Sequence, residues 1–193
     1  PLGAAAILLR LGGAHNVANA LAAAAAAASA GARLEHIVAG LAAVRAVPGR
    51  LQFRRAAGDA WLIDDSYNAN PSSVRAAIEV LGSLPGRKWL VFGDMAELGE
   101  FALAAHAGIG EFARSQGIER LYATGALAAR AAEAFGEGAQ WFAEVPALAA
   151  ALTQALSDPA PEVRVLVKGS RVNRLERVVE ALARDPASAT GGH

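Results

Sequence analysis

Beyond residue 50 the chain alternates short apolar runs with longer helix-patterned segments, and this rhythm restricts the fold more than any other feature. Leu51-Gln52-Phe53-Arg54 alternates as a half-buried strand does, Trp61-Leu62-Ile63 is a short apolar strand, and Gly58-Asp59 between them is a hairpin-type turn. The strand signal returns at Lys88 to Phe92, Leu121 to Ala123, Trp141-Phe142 and Val163 to Val167. Helical segments fill the gaps: Pro71 to about Leu84, Leu103 to Ser115, Leu127 to Phe135 and Ala147 to Leu156, with Leu175 to Ala183 closing the series. Pro71 suits the first position of its helix, with Asn70 as the cap. Strands and helices alternating at these lengths predict an α/β fold, a mostly parallel sheet covered by helices on both faces.

The first quarter of the chain reads differently. Residues 14 to 47 carry only helical signals: an alanine-rich stretch of high helix propensity, Gly31 placed to end it, then a 3.6-period stripe at Leu34, Ile37, Val38 and Leu41. Pro48-Gly49 marks a turn and a domain boundary. The expected organisation is therefore a helical segment over 14–47, an α/β region beyond the Pro48-Gly49 boundary, and a small polar tail over 186–193 that is expected to be disordered. A start on Pro1, running straight into apolar residues up to Leu9, is expected of a chain that begins inside a longer protein, and equally of one whose initiator methionine has been removed before proline.

Composition removes several classes of function. Eighteen Lys and Arg balance eighteen Asp and Glu, so the basic excess of a polyanion-binding surface is missing and nucleic acid is disfavoured as a partner. With no cysteine there is no disulfide, thiolate metal site or thiol nucleophile, and the four histidines lack metal-ligand spacing, so no metal site is expected here. The apolar stretch that contains Leu21 to Ala28 falls far short of the roughly 20 residues that span a bilayer. A hydrophobic content of 54% is enough to build a sizeable core, and the expectation is a soluble chain.

Ligands of open α/β sheets bind outside the carboxyl ends of the strands. Here the strands end in polar clusters: Asp64-Asp65-Ser66-Tyr67-Asn68-Ala69-Asn70, Gly93-Asp94-Met95-Ala96-Glu97, Thr124-Gly125, and Lys168-Gly169-Ser170-Arg171. If the sheet is parallel, all of them lie along one edge. Asp64 and Asp65 can orient a ribose, a cation or an amine, since a carboxylate only accepts hydrogen bonds. Equally, Asp, Ser and Asn precede helices as caps, which applies to Asn68 and Asn70 as well. Lys168, Ser170 and Arg171 suit a carboxylate or phosphate, or else form a solvated basic turn. Asp94 with Glu97 could hold an ammonium group, or serve as a cap and a solvated acid. Asn16 and Asn19, beside His15, could pair with a base edge or cap a helix. His106 reads as a helix-surface or packing residue. No phosphate loop of the G-x-x-x-x-G-K-[ST] type, no G-x-G-x-x-G fingerprint and no G-x-S-x-G elbow occurs, and no residue stands out as catalytic.

In this order, His15-Asn16-Val17-Ala18-Asn19, Pro48-Gly49-Arg50, Asp64-Asp65-Ser66-Tyr67-Asn68-Ala69-Asn70-Pro71, Gly93-Asp94-Met95-Ala96-Glu97-Leu98-Gly99 and Lys168-Gly169-Ser170-Arg171 resemble the Mur ligase family, from Gly13 to about Leu182. The D-D-S-Y-N-A-N-P, G-D-M-x-E-L-G and K-G-S-R segments resemble its dipeptide-adding branch. The resemblance implies an ATP-dependent amide ligase with an N-terminal UDP-substrate domain, a central ATPase domain and a Rossmann-like C-terminal domain. Residues 1–47 would then be the end of the central domain, a helical remnant, and 48–185 the C-terminal domain. It implies an acyl phosphate intermediate, ATP and magnesium as cofactors bound mainly by upstream sequence, and D-alanyl-D-alanine and a UDP-N-acetylmuramoyl-tripeptide as substrates. A cytoplasmic monomer, inactive in isolation, is expected. Asn16 and Asn19 resemble adenine contacts, Arg50 a phosphate- or ribose-side arginine, and Asp65 a ribose-side aspartate. Asn68, Asn70, Asp94, Ser170 and Arg171 would lie near the dipeptide, with Arg171 or Lys168 facing its carboxylate. One departure is visible: Val172-Asn173-Arg174 replaces the small polar residue usual after Arg171. The competing reading is a non-catalytic α/β module that binds a small anionic ligand or a protein partner.

Overall fold

The structure, a computed structural model, describes residues 3–11, 14–45, 47–56, 60–157 and 162–183. Gly13, the Gly58-Asp59 turn, the polar tail from 186 and the side chain of His15 lie outside the described residues. The chain separates into two compact units, Pro1–Val47 and Pro48–His193.

The first unit pairs α1 (Ala14–Ser29) with α2 (Leu34–Ala43). Between them Gly31 takes φ +88°, a left-handed turn that glycine enters without steric cost. The helix expected to run to residue 47 stops at Ala43, because Val44 turns extended at φ −59°, ψ 133°. Arg45 then folds its guanidinium back onto the carbonyls of Ala42, Ala43 and Val44, satisfying acceptors at the helix end.

In the second unit β1 (Gln52–Arg55) and β2 (Trp61–Asp65) precede α3 (Pro71–Ser83), β3 (Arg87–Gly93), α4 (Ala102–Ser115) and β4 (Arg120–Thr124). Next come α5 (Ala128–Phe135), β5 (Ala139–Phe142), α6 (Val145–Ser157), β6 (Val163–Lys168) and α7 (Glu176–Leu182). They form one six-stranded sheet in the order β1-β2-β6-β3-β4-β5. Strand β1 lies antiparallel to β2, and every other pairing is parallel.

The two-residue period of the strands sorts their side chains onto two cores. Ile63, Leu90, Phe92, Leu121, Ala123 and Leu166 face α3, α4 and α5. Leu62, Trp89, Val91, Tyr122, Val165 and Val167 face α6 and α7. The chain steps outward from β3 to β5 through α4 and α5, then returns to β6 through α6. Right-handed crossovers put helices on opposite faces when the direction reverses. The reversal makes a switch point between β6 and β3, where open α/β sheets bind ligands.

Candidate functional site

The polar clusters read from the sequence follow β2, β6, β3 and β4, and these are lateral neighbours in the sheet. Their loops therefore converge on one edge. Leu51, Glu97 and Arg174 are the non-glycine residues with positive φ among those described (46°, 63° and 52°), and all border this edge. Left-handed backbone is costly for such residues and concentrates where surrounding contacts hold it for a purpose.

Asp65 and Lys168, cross-strand partners in the β2–β6 register, form the centre of the cluster. The Lys168 ammonium donates to Asp65 Oδ2 at 2.5 Å and to the Asn68 carbonyl at 2.9 Å. The other Asp65 oxygen, Oδ1, accepts from Leu51 N–H at 3.1 Å, tying the 48–51 turn to the end of β2. Burial pushes the Lys168 amine below its ordinary 10.5; Asp65 opposes that shift and nearby Arg50 adds to it. The lysine is 2% exposed, so it is a buried strut and not part of a solvated basic turn.

Adjacent residues on a strand point to opposite faces, and Asp64 accordingly leaves its neighbour: its Oδ1 accepts from Ser66 N–H and Oγ–H at 3.2 and 2.6 Å. Asn70 caps α3, its Oδ1 accepting from Ser73 N–H at 2.8 Å within a reciprocal capping box. Asn68 is exposed at the side chain and contributes its carbonyl to Lys168.

Tyr67, 42% exposed, collects two cations on its ring. The Arg50 guanidinium lies 4.7 Å from the ring centroid and that of Arg171 lies 5.7 Å away, so arginines from different loops meet on one aromatic platform. Both arginines are exposed and available to an anion.

Across the switch point, Asp94 Oδ1 accepts from Leu127 N–H at 3.0 Å and Ala128 N–H at 2.7 Å, capping α5 from a distant loop. Among the described residues its Oδ2 makes no hydrogen bond. Ser170, 2% exposed, accepts at Oγ from Ala96 N–H (2.8 Å) and donates to the Ala69 carbonyl (3.3 Å), joining the loops after β3, β2 and β6. His106 is fully buried: Nε2 accepts from Met95 N–H at 2.8 Å and Nδ1–H donates to the Ala102 carbonyl at 2.6 Å. It is a packing residue that anchors the 94–97 loop. Glu97 is exposed.

The closing helix, expected over Leu175 to Ala183, runs Glu176–Leu182, and a single 3-10 turn over Arg171–Asn173 precedes it. Thus Arg50, Asp65, Asn68, Asn70, Asp94, Lys168, Ser170 and Arg171 come together on one edge of the second unit. Asn16 and Asn19 lie on α1 of the first unit, one turn apart, with Asn19 Nδ2 donating to Asn16 Oδ1 at 3.4 Å. Tyr67 and Asn173 were missed as functional groups. Tyr67 stood inside the quoted motif, between two polar residues; Asn173 stood in the segment noted as a departure after Arg171, with no role read for its side chain.

The arrangement offers exposed guanidiniums for an anion and a half-buried carboxylate oxygen for an ammonium group. Among the described residues no group of three or more His, Cys, Asp and Glu could hold a metal ion.

The family profile described as Mur ligase, glutamate ligase domain, matches residues 49–171. The UDP-N-acetylmuramoyl-tripeptide–D-alanyl-D-alanine ligase of Escherichia coli K12 is 46% identical over 94% of this chain, which covers 40% of that protein. A crystal structure of MurF from Acinetobacter baumannii superposes with a TM-score of 0.84 at 35% identity, over 93% of this chain and 40% of the other. MurF from Thermotoga maritima in complex with ADP gives 0.73 at 28% identity, over 89% and 38%. The chain spans about 40% of the length of these relatives.

Proposed function

From the premise that this chain belongs to the Mur ligase family, we propose that it is the carboxyl-terminal portion of an ATP-dependent ligase joining D-alanyl-D-alanine to UDP-N-acetylmuramoyl-tripeptide in peptidoglycan precursor synthesis. The observation that carries this reading is the convergence of Arg50, Tyr67 and Arg171 with Asp94 on the carboxyl edge. A dipeptide zwitterion needs one cation for its carboxylate and one acceptor for its ammonium group, and the edge offers both. A nucleotide needs a cation beside its phosphates, which Arg50 supplies.

In this proposal 1–47 ends the central ATP-binding domain and 48–185 is the dipeptide-receiving domain. Asn16 and Asn19 contact adenine, while Arg50 and Asp65 serve the nucleotide. Arg171 faces the dipeptide carboxylate, Asp94 its amine, and Lys168 and Ser170 hold the surrounding loops, with Asn68 and Asn70 at the rim. The acceptor carboxylate attacks the terminal phosphorus of ATP, releasing ADP and forming an acyl phosphate. The dipeptide nitrogen, having lost a proton, attacks the acyl carbon; the carbon–oxygen bond to phosphate breaks and the amide remains. This chain contributes orientation, bringing the amine close to the acyl carbon. Magnesium ligands and the phosphate loop belong to other parts of the ligase, and this chain alone turns over no ATP. The enzyme acts as a cytoplasmic monomer; among the described residues no helix is long and apolar enough to cross a membrane.

The test is a pair of substitutions in the complete ligase. Arg171→Ala should raise KM for D-alanyl-D-alanine, and Arg50→Ala should raise KM for ATP, each by about tenfold or more, the scale of a lost charge-assisted hydrogen bond. Unchanged constants in both would remove the arginines from the site.

A further inference from the structure

The ladder between β3 and β6 ends at Phe92 and Lys168. Beyond it the backbones crowd together: a Cβ on Gly169 would stand 3.1 Å from Gly93 Cα, and one on Gly93 would stand 2.7 Å from Asn173 Cγ. The side chain of Asn173 fills this position and acts as a substitute strand residue. Its Oδ1 accepts from Asp94 N–H at 3.0 Å, while its Nδ2 donates to the Asp94 carbonyl at 2.8 Å. Nδ2 also donates to the Ser170 carbonyl at 2.9 Å, and Ser170 N–H donates to the Asp94 carbonyl at 2.9 Å. One amide thereby clasps both polar groups of the Asp94 residue backbone to the turn that carries Arg171.

We infer that Asn173 is a positioning residue that sets the separation between Arg171 and Asp94, and so the fit of a zwitterion held by its carboxylate and ammonium ends. The inference rests on the proposed dipeptide site. The two charged groups come from different strands, and no covalent path shorter than the whole β3-to-β6 crossover links them. The clasp replaces that path with a few ångströms of rigid amide. It also accounts for the segment Val172-Asn173-Arg174, where this chain departs from the family pattern: Arg174 at φ +52° lets the turn close, and Asn173 reaches across. Neither Arg50 nor Asp65 hydrogen-bonds to Asn173, so the nucleotide side should not register its loss.

The experiment compares the complete ligase with its Asn173→Ala and Asn173→Asp variants. Alanine removes the clasp. Aspartate keeps its shape but turns a carboxylate oxygen toward the Asp94 and Ser170 carbonyls. Expected is a rise of about tenfold in KM for D-alanyl-D-alanine in both, with KM for ATP within about twofold of the unaltered enzyme. A dipeptide KM within that same twofold overturns the inference, as does a parallel rise in both KM values, the sign of general loosening. Amide hydrogen exchange supplies a readout that needs no turnover. Asn173→Ala should speed exchange at Asp94 N–H about tenfold while Leu127 and Ala128, held by the Asp94 side chain, keep their rates. Equal exchange at Asp94 overturns the clasp. If the unaltered ligase forms no amide with the dipeptide, the proposed substrate is wrong, and the exchange result still decides whether Asn173 holds the two loops.

Discussion

Asp65→Asn is the most informative perturbation of this edge, because aspartate there uses both oxygens as acceptors. Oδ1 takes the Leu51 N–H and Oδ2 takes the Lys168 ammonium. Asparagine has one acceptor and must turn an NH2 group toward one of these two donors. The Lys168 side chain is 3% exposed and that of Asp65 is 13%, so the pair is shielded and the orphaned ammonium cannot recover its hydration. Breaking a buried pair from one side costs about 3–5 kcal/mol, and the partial exposure of Asp65 puts the expectation near the lower figure at pH 7. With a urea m value of about 2 kcal/mol/M, the unfolding midpoint should fall by about 1.5 M.

The pH dependence gives the sign. Lys168 titrates below 10.5 in the folded state, so between its folded value and 10.5 the unfolded chain binds more protons, and stability rises with pH. Asparagine removes the charge that opposes the burial shift, which moves the folded value further down and opens the window at lower pH. The deficit of the variant should therefore shrink as pH rises toward 10.5. Lys168→Met added to Asp65→Asn should recover much of the loss, since an uncharged pair leaves no buried cation. A deficit under about 0.5 kcal/mol at pH 7, the range of ordinary surface substitutions, or one that stays constant with pH, would refute the reasoning.

Gly110→Ala should lower the thermal midpoint by several degrees, because its Cβ would stand 2.1 Å from the Ala131 carbonyl oxygen where α4 meets α5 backbone to backbone; an unchanged midpoint in calorimetry would show that the helices separate freely. His106→Leu leaves Met95 N–H without its acceptor, and urea titration should show a loss of about 1–3 kcal/mol, whereas no loss would mean that the 94–97 loop finds another partner. Asn70→Ala removes the α3 cap and should cost about 1 kcal/mol by the same titration; a neutral result would locate the stability of α3 entirely in its packed face.

The strands and helices of the second unit were legible because each carries its own period and its own punctuation, Pro71 and Asn70 being the clearest. The position of the polar edge was legible too, given only that the strands ran parallel. What each polar residue does there was not, because those roles are long-range. Lys168 meets Asp65 from 103 residues away, and Asn173 reaches Asp94 from 79. Sequence offered Asp64 and Asp65 as a pair, yet the pleat sends them to different partners. Of the alternatives set for Asp94, capping is realised: Oδ1 caps α5, while among the described residues Oδ2 makes no hydrogen bond. The end of α2 at Ala43 depends on Arg45 reaching back to the last carbonyls, a contact no propensity scale contains.

The central claim is that this edge receives D-alanyl-D-alanine for amide formation. Mass spectrometry of the complete ligase, given ATP, UDP-N-acetylmuramoyl-tripeptide and an equimolar mixture of D-alanyl-D-alanine, D-glutamate and diaminopimelate, tests it most directly. The account predicts one product, the dipeptide adduct, formed with stoichiometric ADP and, at dipeptide concentrations well below KM, formed about tenfold or more slowly when Arg171 becomes Ala. Adducts of the single amino acids, or dipeptide adduct formed undiminished by the Arg171→Ala enzyme, would contradict it.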